Sequence, residues 1–103
     1  MREDKKNYLK LYSIQESKIK RLKEMMILYP ERKENYKKDI EKSLNLRAEI
    51  ETKIKSLDND ILSEVLFQKY VFGKTLEQIG DLLNYSERQI ERFHIKALDE
   101  IKI

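Results

Sequence analysis

The sequence predicts an all-α protein, an N-terminal antiparallel helical hairpin followed by a compact three-helix module. Three observations carry this expectation. Apolar residues recur at steps of three and four, and no stretch alternates with period two for long enough to form a strand. Two glycines and one proline in 103 residues leave few places where a long helix must stop. Charged residues make up 40% of the chain and hydrophobic residues another 40%, the balance of narrow buried stripes on solvated rods. The length allows one domain or two very small units and excludes a large enzyme. The absence of cysteine excludes disulfide frameworks, thiol nucleophiles, zinc ribbons and iron–sulfur clusters. No window approaches the ~18–20 apolar residues that span a bilayer, and MREDKKNYLK lacks the apolar core of a signal peptide, so a soluble, cytoplasmic chain without a membrane partner is expected.

The first helix carries Tyr8, Tyr12, Gln15, Ile19, Leu22, Met26 and Tyr29 on one stripe, widened by Leu11 and Met25. Pro30 lacks an N–H and crowds the preceding turn, so this helix ends near Tyr29. The second helix repeats the spacing with Tyr36, Ile40, Leu44, Arg47, Ile50, Ile54 and Leu57. A short connection favours antiparallel neighbours, which gives a hairpin over residues 1–57. Two helices alone bury too little apolar surface, so the hairpin should dock on the second half, on another copy, or on both. A homodimer or higher homo-oligomer is expected along Ile19, Leu22, Met26, Ile40, Ile50 and Ile54. The basic faces around Lys20 and Lys37 read as solvated flanks, and the tyrosine stripe as packing rather than a platform for bases.

Residues 58–103 read as helix, tight turn, short helix, tight turn, long helix. Asp58, Asn59 and Asp60 are candidate caps for a helix reaching about Phe72, through Ile61, Leu62, Val65 and Leu66. Gly73 supplies the left-handed residue that closes it, and Thr75 with Gln78 has capping-box spacing. The next helix turns Leu76, Ile79, Leu82 and Leu83 inward, and Gly80 admits a close neighbour. Asn84 tolerates a left-handed turn, and Ser86 caps a last helix that buries Ile90, Phe93, Ala97, Leu98 and Ile101. Charge divides between the halves: residues 1–57 hold 16 Lys/Arg against 10 Asp/Glu, and residues 58–103 hold 6 against 9.

The stretch TLEQIGDLLNYSERQIERFHIKALDEIKI is similar to the helix-turn-helix of region 4 in sigma-70-type sigma factors. Thr75 with Leu76, Glu77 to Gly80, Leu83 to Ser86, and Ala97 with Leu98 carry the likeness, and ILSEVLFQKYVFGKT resembles the preceding sigma helix. The likeness covers residues 61–102. The whole chain resembles the small phage- and prophage-encoded transcriptional regulators of the ArpU/RinA type, most closely in NYSERQIERFHIKAL. The resemblance implies a regulator of phage genes that binds double-stranded DNA in a bacterial host cell, with RNA polymerase as a further partner.

On the last helix Glu87, Arg88, Glu91, Arg92, Ile95 and Lys96 lie off the buried stripe, where a helix can enter the major groove. Arg88 and Arg92 are one turn apart and suit bidentate contact with guanine, and Gln89 suits phosphate or adenine. Ser86, Lys74 and the N–H groups of Thr75 and Leu76 complete the candidate DNA contacts. Where the sigma pattern commonly has DNA-contacting arginines this chain has Glu87 and Glu91, which implies either a different DNA sequence or ion pairs with Arg88 and Lys96. His94 reads as a packing residue or a phosphate contact, and no metal, cofactor or enzymatic motif is expected. Two alternatives stand beside the transcriptional regulator: a small terminase-like DNA-packaging protein, and a sigma-like module that grips another protein without touching DNA.

Overall fold

A computed structural model describes all residues, 1–103. It is helical throughout, with α1 (Arg2–Leu28), α2 (Lys33–Lys55), α3 (Asp60–Leu66), α4 (Leu76–Leu83) and α5 (Glu87–Glu100). A 3₁₀ turn at Pro30–Arg32 joins α1 to α2, and α3 runs on into a single π-helical segment, Phe67–Val71. The molecule measures 51 × 26 × 21 Å, and no helix is long and apolar enough to cross a membrane.

Helices α1 and α2 run antiparallel. The Tyr12 hydroxyl donates to Glu51 at 2.7 Å, and Arg47 donates to Glu16 at 2.7 Å, so the chain numbers rise on one helix as they fall on the other. Ile19, Leu22, Ile50 and Ile54 are buried within the one chain, and Met26 and Ile40 are half-buried towards the far end. Four of the six residues on the stripe expected to join two copies are thus already buried within the single chain. One position on α2 departs from expectation: Ser43 is buried while Leu44 is 40% exposed. Steps of four and three from Tyr36 through Ile40 to Arg47 pass through Ser43, and the more apolar Leu44 lies one position round the helix, outside the seam.

Leu9 lies off the α1 stripe and is fully buried, because the first turns of α1 pack on a second partner. Leu9, Tyr12, Ile50 and Ile54 share one core with Leu62, Leu66, Tyr70, Ala97, Leu98 and Ile101. Residues 1–57 and 58–103 therefore bury their apolar faces against each other. The junction is clamped at the surface. Arg2 donates two hydrogen bonds to the Asp99 carboxylate at 2.7 and 2.9 Å, and Lys5 donates to the Leu98 carbonyl at 2.8 Å, satisfying an orphan acceptor in the last turn of α5.

The elements of the second half begin and end where short-range chemistry dictates. Asn59 accepts from the N–H groups of Ile61 and Leu62, Thr75 and Gln78 exchange the two bonds of a capping box, and Ser86 accepts from Gln89. Gly73 and Asn84 are the two residues with positive φ, at 70° and 64°. The π segment has a packing reason. Four α-helical residues overshoot a full turn by about 40°, and the wider π turn takes back the drift, leaving Leu62, Leu66 and Tyr70 on the same core. Val65, Ile79 and Ile90 form a smaller core that joins α3, α4 and α5. Leu82, expected inward, is 48% exposed: it lies about 100° round α4 from Leu83, beyond a stripe centred on Leu76, Ile79 and Leu83.

Candidate nucleic-acid interface

Helices α4 and α5 meet at a turn that only glycine permits. Gly80 is buried, and a Cβ there would come within 2.6 Å of the Tyr85 carbonyl oxygen. The Tyr85 N–H in turn donates to the Gly80 carbonyl at 2.9 Å, while the Tyr85 ring meets Phe93 edge-on with centroids 5.0 Å apart. Asn84 takes the left-handed conformation and Ser86 caps α5, so the start of α5 is fixed against α4 by backbone contact, a cap and an aromatic pair.

From this start Glu87, Arg88, Glu91, Arg92 and Lys96 all project to solvent along α5. The four ion pairs of the protein lie at Met1–Asp4, Arg2–Asp99, Lys37–Glu34 and Arg47–Glu16. Pairing of Glu87 or Glu91 with Arg88 or Lys96 is therefore absent, and both arginines are available to a ligand. Gln89 is half-buried. At the start of α4 the Thr75 N–H, expected to meet a phosphate, is already given to Gln78 Oε1 at 2.9 Å, and the Thr75 hydroxyl oxygen accepts from Gln78. The Leu76 N–H is left for that role. The Ser86 oxygen is likewise engaged by Gln89 at 3.1 Å, with its own proton free to be donated. Lys74 is half-buried beside Gln78, Asp81 and Leu82.

The structure adds residues from far along the chain. A cleft of about 300 Å³ opens between α1, the π segment and α5, bordered by Lys6, Lys10, Lys69, Leu76, Glu91 and Ile95. Its floor is a buried pair, the Tyr70 hydroxyl 2.7 Å from His94 Nε2. Burial, then Lys69 and Lys6, push the His94 imidazolium down to about 4, so the ring is neutral near pH 7. Burial likewise raises the Tyr70 phenol to about 12. The protonated phenol and the neutral ring share one hydrogen bond through Nε2, and the tautomer of the ring sets which of the two donates. His94 is thus a core histidine whose outward charged neighbours are Lys6, Lys10, Lys69 and Glu91.

Nothing in the local sequence marked Lys6 and Lys10 as neighbours of Glu91. The one available signal was their spacing of four on a helix whose adjacent Leu9 did not fit the stripe facing α2. No group of three or more His, Cys, Asp or Glu side chains is placed to hold a metal ion. Compared with known proteins, the chain matches no family model, no curated protein and no solved structure.

Proposed function

We propose that residues 58–103 act as a helix-turn-helix of the sigma region 4 kind, and that the protein is a sequence-specific transcriptional regulator that reads double-stranded DNA through α5. In this reading α4 lies across the backbone and α5 enters the major groove with Arg88 and Arg92 facing base edges. Lys96, further along, meets phosphate. The protein acts in the bacterial cytoplasm on phage or prophage genes, with RNA polymerase as its second partner, and the hairpin of residues 1–57 braces the module. The observation that carries the reading is the exposed and unpaired state of Arg88 and Arg92 on a helix whose start is fixed by Gly80, Asn84 and Ser86. An unpaired guanidinium has its full fork of donors to offer to guanine O6 and N7. Glu87 and Glu91, free of internal partners, are acceptors for cytosine amino groups and set a base preference different from that of an arginine at either position.

Selection of bound duplexes from a random-sequence pool tests the proposal. A defined motif several base pairs long is expected, with guanine at the positions facing Arg88 and Arg92. Recovery of unenriched sequence after repeated rounds would contradict it. The second reading, a module that grips another protein, draws on exposed Leu82 and on Phe72, which is 63% exposed, and it becomes the preferred account on that negative result.

A further inference from the structure

We propose that the cleft between α1, the π segment and α5 receives a DNA backbone phosphate held by Lys6, Lys10 and Lys69, so that the N-terminal helix adds cationic contact to a half of the chain whose own charge is net acidic. The inference rests on the reading of α5 as the DNA-reading helix and adds a second part of the chain to that interface. The cleft adjoins the outward face of α5, since Glu91 and Ile95 border both, and Leu76 at the start of α4 borders it as well. Three ammonium groups therefore stand beside the outward face of α5, with the Glu91 carboxylate among them and Glu3 near enough to raise the Tyr70 phenol.

Their neighbours show why these lysines in particular are free. Arg2 and Lys5, on the same first turns of α1, are consumed by Asp99 and by the end of α5. Lys6, Lys10 and Lys69 have no ion pair and give no hydrogen bond to the protein, and the Lys69 ammonium lies 5.8 Å from the centroid of the Tyr70 ring. Arg2 and Lys5 thus lock α1 in place while Lys6 and Lys10, one turn apart, are left pointing at the opening. Burial first, then Lys69 and Lys6, lower the basicity of His94, in keeping with the place of both lysines around the cleft. The floor itself is a satisfied neutral pair and competes for no anion. The cleft is open to solvent and has no enclosed polar seat for a small anion, whereas a polyanion brings a phosphate together with its released counterions. Residues 58–103, with 6 Lys/Arg against 9 Asp/Glu, gain little from that release without help from α1.

The test is the salt dependence of binding to the duplex that the wild-type protein selects, measured by fluorescence anisotropy and compared with a scrambled duplex. Lys6→Ala/Lys10→Ala and Lys69→Ala are expected to weaken both duplexes by equal factors. The slope of log affinity against log salt should become shallower by about 0.9 for each phosphate that is no longer neutralised. Lys6→Arg/Lys10→Arg restores the slope. Lys20→Ala/Lys23→Ala removes the same charge about 20 Å further along α1 and leaves the slope unchanged. Far-UV circular dichroism verifies that every variant is folded. An unchanged slope in Lys6→Ala/Lys10→Ala, or an equal change in the Lys20→Ala/Lys23→Ala control, overturns the inference while DNA reading by α5 stands. Failure of the wild-type protein to bind any duplex overturns both.

Discussion

Burial of His94 against Tyr70 makes stability depend on pH in a window set by one side chain. The folded protein holds the imidazolium near 4, below its ordinary 6.5, so the unfolded chain binds the proton more readily. The stabilisation from a neutral His94 is complete above about pH 6.5, declines as the pH falls, and is lost by about pH 4, a change on the order of 3 kcal/mol. Asp99, whose carboxyl is held down mainly by its hydrogen bonds from Arg2, titrates below that window. Urea midpoints measured from pH 7.5 to 4.5 should fall for the wild type and stay nearly level for His94→Gln. Parallel curves for the two would exclude His94 as the source. The contrast between this pair and the caps shows what single residues disclose. Asn59, Thr75 and Ser86 act within three residues of themselves, so their roles could be read from the sequence, and each is engaged as its residue type implies. Tyr70 and His94 are 24 positions apart, and only the packing of the π segment on α5 joins them.

Among the helices, the joint between α4 and α5 depends on the missing side chain of Gly80. Alanine would favour the helix by about 1 kcal/mol, but its Cβ would press on a backbone oxygen at 2.6 Å that no rotamer change relieves. The clash prevails, and Gly80→Ala is expected to lower stability by about 1–3 kcal/mol and to weaken any ligand that needs the angle between the two helices. A thermal melt at or above the wild-type midpoint would show that the joint has slack. Boundaries of the helices were legible because proline, glycine and capping residues act locally, whereas faces were read less well. Leu44 and Leu82 are apolar and exposed, while Ser43 is polar and buried, because position on the helix and not hydrophobicity decides who meets the neighbour. The π segment left no sequence signal, since it corrects a drift that exists only against a particular core.

Across the molecule as a unit, one core serves both halves of the chain. Separated from residues 1–57, the second half would lose Leu9, Tyr12, Ile50 and Ile54 from around Leu62, Leu66 and Leu98. A fragment of residues 58–103 is therefore expected to give a weak, non-cooperative melt by circular dichroism, and a cooperative transition like that of the full chain would show an independent domain. Leu9→Ala in the full chain should cost about 2–5 kcal/mol, the range for truncating a fully buried leucine. The same union places lysines of the basic half beside a helix of the acidic half, a juxtaposition that net charge along the sequence obscured. Whether α5 reads DNA bases through Arg88 and Arg92 is decided by titrating the selected duplex and a scrambled duplex with wild type and with Arg88→Ala/Arg92→Ala at matched salt. The wild type is expected to prefer its selected site, each arginine removed should cost roughly 1–3 kcal/mol on that site, and the double variant should bind both duplexes alike. Equal binding of the selected duplex by wild type and the double variant would refute base reading by this helix.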